Sequence, residues 1–132
     1  MPDAPIRTDA RTKSVRELLG GQKYAIDYYQ REYLWRRRHV QELMEDLQQN
    51  FLRHYDLADE RRAVSTYPHY FLGSIVVCNR SGQRYIIDGQ QRLTTLTLLL
   101  IYLHVLQGNR ADSVDVAPLI FSETFGHKSY NL

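Results

Sequence analysis

The run Tyr85-Ile86-Ile87-Asp88-Gly89-Gln90-Gln91-Arg92-Leu93-Thr94-Thr95-Leu96 sets an acid, a glycine, two carboxamides and a guanidinium between two apolar stretches. A short strand that breaks at Asp-Gly and turns into a helix gathers free backbone N–H groups, the positive end of the helix dipole and one arginine around a small space. That space suits a phosphate. Gly89 lets the backbone bend sharply and approach a ligand closely, and Arg92 adds a fork of donors. Gly89, Gln90, Gln91, Arg92 and Thr94 are therefore the candidate nucleotide-binding residues. Asp88, Gln91 and Arg92 are the candidate catalytic ones, with Asp88 placed to hold a metal ion through waters and the glutamines placed to orient a nucleophilic water. A plainer reading makes Asp88 an N-cap, Gln91 its capping-box return and Arg92 an ion-pair partner of Asp88. A cap uses two polar residues where this bend has four, which favours a ligand without excluding the cap.

A second constellation is Tyr28-Tyr29-Gln30-Arg31-Glu32-Tyr33-Leu34-Trp35, followed by Arg36-Arg37-Arg38-His39. Aromatic faces among arginines stack bases and hold phosphates, and a glutamine can read a base edge. Tyr29, Gln30, Arg31, Arg36 and Arg37 are the candidate nucleic-acid contacts, whereas Tyr33 and Trp35 are expected to pack. Cations at a helix start oppose the helix dipole, and an anionic partner would relieve that.

Other chemistries find no support. No Gly-x-x-x-x-Gly-Lys-Ser/Thr, Gly-x-Gly-x-x-Gly or His-Glu-x-x-His occurs. His39, His54, His69, His104 and His127 are scattered, and the single cysteine, Cys78, permits neither a disulfide nor a cysteine zinc site and is expected in the core. With 132 residues, 43% of them hydrophobic and 24% charged, the chain has the composition of one globular domain. The longest apolar stretch, Leu98 to Leu103, is far short of the roughly 18 residues of a membrane span, and the N-terminus lacks a signal-peptide pattern, so no membrane partner and a cytoplasmic location are expected. Net charge is only +2, yet nine Lys or Arg face five Asp or Glu through residue 40, against eight and ten in the remainder. The basic excess is N-terminal.

The elements that must position these groups read as follows. Residues 1–12 form a polar arm, and Ser14-Val15-Arg16-Glu17 has capping-box spacing for a short helix ending at Gly20-Gly21. Lys23 to Asp27 reads as a short strand. Val40, Leu43, Met44, Leu47 and Phe51 share one helical face in a helix spanning about Arg36 to Tyr55. Tyr55 to His69 lacks periodicity and is a surface loop. Tyr70 to Cys78 reads as a strand covered on both faces, joined through a turn at Asn79–Gln83 to the partner strand Arg84 to Asp88. The helix Gln91 to Leu106 is apolar almost all round and is expected between layers. The sum is an α/β (α+β) fold, a small mixed sheet with flanking helices. Residues 107–132 begin as a loop and then resist assignment; the ending at Ser129-Tyr130-Asn131-Leu132 suggests a fragment of a longer protein, or one completed by a partner.

Tyr29-Gln30-Arg31-Glu32-Tyr33-Leu34-Trp35, Tyr70-Phe71-Leu72-Gly73-Ser74-Ile75 and Ile87-Asp88-Gly89-Gln90-Gln91-Arg92-Leu93-Thr94-Thr95-Leu96, in this order, resemble the N-terminal domain of the GmrSD-type modification-dependent restriction endonucleases. The resemblance implies a ParB/sulfiredoxin-like fold over residues 13–106, with 107–132 starting a following helical region. It implies that the Asp-Gly-Gln-Gln-Arg motif, here Asp88 to Arg92, binds and hydrolyses a nucleoside triphosphate, GTP or ATP, with Mg2+. It implies Tyr29, Gln30 and Arg31 beside that site, modified DNA as a partner, and a His-Asn-His-type nuclease domain or subunit that does the cutting. The function expected is an NTP-hydrolysing sensor of an anti-phage restriction system. The alternatives are a non-catalytic DNA-binding module and an interaction subunit, with a homo-oligomer left open.

Overall fold

The computed structural model describes residues 8–30 and 32–132, apart from the side chain of Tyr29. The chain is α+β and forms two units, one over Tyr24–Leu99, the other joining the N-terminal segment up to Lys23 to Leu100–Leu132. The expected arm at 1–12 falls largely outside the described residues.

In the first unit, α2 runs over Arg37–His54 and follows the helical spacing, with Leu43 buried. After a six-residue 3-10 helix at Arg61–Thr66 in the expected loop, an antiparallel hairpin pairs β1, Val76–Arg80, with β2, Gln83–Asp88. The turn is shorter than expected: Ser81 (φ 49°) and Gly82 (φ 77°) make it, both left-handed, as two-residue hairpins require. The strand expected over Tyr70 to Cys78 is corrected at both ends. Residues 70–75 are irregular, because Gly73 adopts φ +113°, and all five residues of β1 are exposed rather than covered. Cys78 is accordingly exposed, not core. The expected strand at Lys23 to Asp27 is reduced to one parallel bridge, in which Ala25 N–H donates to Arg84 O (2.8 Å) and Ile86 N–H donates to Ala25 O (2.9 Å). The mixed character of the sheet is that single bridge.

Helix α3 spans Gln90–Gln107. Ile86, Leu93, Thr95, Leu96 and Thr97 are buried, and the two threonines spend their hydroxyls on carbonyls one turn back, Gln91 O (2.7 Å) and Leu93 O (2.9 Å). Burial between layers fails beyond them: Leu98 is 53% exposed, Val105 73% and Leu106 64%. Apolar residues on every side mean the absence of a polar face, and they do not supply a neighbour.

The second unit holds α1, Val15–Leu19, with its capping box, Ser14 Oγ accepting from Glu17 N–H (3.1 Å) and Glu17 Oε1 from Ser14 N–H (3.3 Å). In place of the expected helical region stand a four-residue helix, α4, Ala117–Ile120, and the hairpin of β3, Phe121–Thr124, with β4, His127–Tyr130. Its core is Leu19, Leu119 and Ile120 around the buried Asn131. Asn131 Nδ2 donates to Leu19 O (2.9 Å) and Pro118 O (3.0 Å), and its Oδ1 accepts from the Ser122 hydroxyl.

Candidate functional site

Strand β2 ends at Asp88 and α3 begins at Gln90, so Gly89 alone makes the bend. Its φ of +89° is left-handed, and a Cβ there would collide with Cδ1 of Ile75 and crowd Ser74 O. Only glycine satisfies both demands. Asp88 Oδ1 accepts from Gly89 N–H at 2.9 Å, and Gly89 O accepts the first helical bond, from Leu93 N–H at 3.0 Å. Among the described residues, nothing accepts from the N–H groups of Gln90, Gln91 or Arg92. Asp88 therefore does not cap them, and no ion pair joins Asp88 to Arg92 among the described residues.

A cleft of about 370 Å³ opens at this bend. Asp88, Gly89, Gln91 and Arg92 form one wall, Gly73 and Ser74 another, and Trp35 a third. Arg92 Nη1 donates to Ser74 O at 3.3 Å, and the guanidinium lies against Gly73. Arg92, which spends one guanidinium bond on Ser74 O, thus borders a single open space with Gln91 of the first helical turn and the carboxylate-bearing Asp88, and such a space can receive an oxyanion. No three His, Cys, Asp or Glu side chains cluster as a metal cage among the described residues.

The other expected site residues are distributed differently. Gln91 spends its carboxamide on the chain: Oε1 accepts from Leu34 N–H (2.6 Å) and Trp35 N–H (3.0 Å), and Nε2 donates to Glu32 O (2.9 Å). It is not the return partner of a capping box. Gln90 lies outside the cleft lining, its Nε2 donating to Ile87 O (2.8 Å), Ile86 O (3.3 Å) and Gln30 Oε1 (3.2 Å). Gln30 is thereby tied to the motif through Gln90. Thr94 is half-buried and outside the lining. The Tyr29 side chain and Arg31 lie outside the described residues.

Tyr33, expected to pack, is instead 40% exposed, and only its hydroxyl is tied in, 2.9 Å from Thr95 Oγ1. Trp35 does more than pack: it stacks on His39 at 5.7 Å and also lines the cleft. Arg36 is the N-cap residue of α2, its N–H donating to His39 Nδ1 at 2.9 Å, and Arg36, Arg37 and Arg38 are all exposed, with no acid in the first turn of α2. Sequence reasoning misses Gly73 and Ser74 as parts of the site. The signal that could find them is a glycine inside an apolar run, which marks a close backbone approach as readily as a strand.

A family model described as GmrSD restriction endonuclease, N-terminal domain, matches residues 15–131, so it includes the α4 and β3–β4 region. No curated protein matches the chain, and no solved structure does. Because the match covers most of the chain, and the cleft falls on the motif that first suggested the kinship, the protein belongs to the GmrSD restriction endonuclease N-terminal domain family and hence to a restriction system.

Proposed function

We propose that this chain is a nucleotide-binding and NTP-hydrolysing sensor domain of a modification-dependent anti-phage restriction system, acting in the cytoplasm, in which nucleotide turnover gates attack on DNA. The observation that carries the reading is the cleft at the strand–helix bend, lined by Asp88, Gly89, Gln91 and Arg92, at a helix start whose first-turn N–H groups have no acceptor among the described residues. Phosphate oxygens fit those donors: the amides bring partial positive charge from the helix end, and the guanidinium brings two-pronged geometry. GTP or ATP is the substrate class.

The residues fit Mg2+ in the manner usual for nucleotide sites, where one or two carboxylates and the phosphates hold the ion and no all-protein cage is needed. Asp88 is the carboxylate of the cleft wall, and Gly89 N–H occupies only one of its oxygens. When bound, the ion would offset phosphate charge. Gln91, anchored to Leu34 and Trp35, fixes the wall that a nucleotide meets, while Asp88 is the group placed to accept hydrogen bonds from a water near the phosphates. Cutting is assigned to a His-Asn-His-type nuclease domain or subunit.

Replacing Arg92 with alanine tests the site. Calorimetric binding of GTP or ATP is expected to vanish while circular dichroism and melting remain those of a folded domain. Retained affinity would remove Arg92 from the site.

A second reading, a non-catalytic DNA-binding module, is favoured by one observation, the exposed Arg36, Arg37 and Arg38 at the positive end of α2. It predicts DNA affinity that falls steeply with salt and ignores nucleotide.

A further inference from the structure

We infer that Gly73 is a positioning residue for Arg92: its missing side chain leaves the seat on which the guanidinium lies. The inference rests on the nucleotide reading for its functional consequence and on geometry for the seat. A Cβ built at Gly73 would stand 2.5 Å from Arg92 Nη1, 2.6 Å from Cζ and 2.9 Å from Nη2, and these are its three nearest atoms. The whole planar head of Arg92 thus rests where any other residue would place a carbon. The backbone is committed to that arrangement as well, since φ at Gly73 is +113°, a region closed to side-chain-bearing residues at ordinary cost.

The segment around Gly73 is itself fixed from both sides. Tyr70 Oη donates to Asp46 Oδ2 of α2 at 3.0 Å, a bond that raises the tyrosine pKa by holding its proton. Beyond Gly73, Ser74 O accepts from Arg92 Nη1 (3.3 Å), and the Ile75 side chain occupies the space that a Cβ at Gly89 would need. The two segments interlock, each glycine receiving a side chain from the opposite segment. For Arg92 the consequence is a flat platform and one anchoring bond, which leave most of its five N–H donors for a ligand. A long flexible cation held this way loses its rotamer freedom on folding rather than on binding, so less is lost when an oxyanion arrives. A lysine has no plane to lie on that platform.

The experiment compares the wild-type chain, Gly73→Ala, Arg92→Ala and the double variant, with Gly82→Ala as the control. Gly82 also has positive φ (+77°), but a Cβ there meets nothing within 4 Å, so this variant measures backbone strain alone. Three readouts are used: the Arg92 Nε–Hε signal by NMR, assigned by its loss in Arg92→Ala, melting temperature, and GTP or ATP affinity by calorimetry. In Gly73→Ala the signal is expected to move to that of a solvated arginine, and nucleotide affinity to fall about tenfold or more, as when one charge-assisted hydrogen bond is removed. In the Arg92→Ala background, Gly73→Ala should lower melting by clearly less than it does in the wild-type background.

An unmoved Arg92 signal in Gly73→Ala, or a melting penalty that is the same with and without the Arg92 side chain, overturns the seat. A moved signal with unchanged affinity overturns the positioning role. If Gly73→Ala does not fold, recovery of folding in the double variant supports the seat, and a wild-type Arg92 signal that already matches a solvated arginine overturns it. Wild-type protein that binds neither nucleotide sinks the nucleotide reading, while the signal and the melting comparison still decide the seat.

Discussion

A carboxamide accepts and donates at once, so a single glutamine can splice two chain segments, and Gln91 does this for the site. One oxygen takes the N–H groups of Leu34 and Trp35, and the nitrogen gives to Glu32 O, all from a residue in the first turn of α3. Trp35 then stands at the cleft because its own backbone is held there. Gln91→Ala removes all three bonds and leaves a half-buried N–H without a partner, at a cost of about 1–3 kcal/mol. Two effects are expected together: a lower melting temperature and weaker nucleotide binding, with tryptophan fluorescence shifted to the red as Trp35 gains water. Unchanged fluorescence would mean that the indole is held by its stack on His39 instead. Gln91→Glu should behave differently. Its oxygens keep the bonds to Leu34 and Trp35, but the one that replaces the nitrogen would face Glu32 O with no proton to offer.

At the scale of elements, α1 shows a local rule acting alone. The Glu17 carboxylate is held below its ordinary value of 4.5, first by the Ser14 backbone N–H and then by the Ser14 side chain. A carboxyl whose pKa is lower in the folded chain stabilises it at any pH above the unfolded value, and that stabilisation is lost as pH falls through the folded value. Melting followed downward from pH 5 should therefore decline more steeply in wild type than in Glu17→Gln, whose amide oxygen still accepts from Ser14 but does not titrate. Parallel curves would show that the box contributes nothing pH-dependent. Caps of this kind are legible in the sequence because Ser14 and Glu17 lie within one turn, and α2 is legible because its apolar residues, Val40 to Phe51, repeat over about three turns. The bend at Asp88 and Gly89 is legible too, since strand, glycine and helix follow directly. What escapes depends on partners distant in sequence. Nothing around Gly73 announces that Arg92 will lie on it, nor does the apolar run to Cys78 reveal that β1 stays uncovered. The α4 and β3–β4 region is too short for periodicity, and its organiser, Asn131, binds Leu19 from 112 residues away.

For the molecule as a whole, a net charge of +2 is too small to draw in DNA, so any contact must come from how the charge is arranged. Arg36, Arg37 and Arg38 are the sharpest arrangement: three exposed cations at the positive end of an 18-residue helix with no acid in its first turn. Each is placed against the helix dipole, at a few tenths of a kcal/mol or more. A fold carries such a penalty without loss of function when a polyanion meets the charges. Replacing all three with glutamine separates the two consequences. Melting temperature should rise, because the dipole is no longer opposed. If these arginines neutralise DNA phosphates, the dependence of DNA affinity on salt should flatten by about 0.9 in log–log slope for each phosphate left without its arginine. Nucleotide affinity should stay as in wild type, because none of the three lines the cleft. A variant that melts higher yet keeps the full salt slope would assign the arginines to no DNA contact and leave the family's DNA partner to surfaces other than this helix end. Weaker DNA binding that also responds to nucleotide would tie the two surfaces together, since Trp35 sits in the cleft wall and Arg36 follows it in the chain.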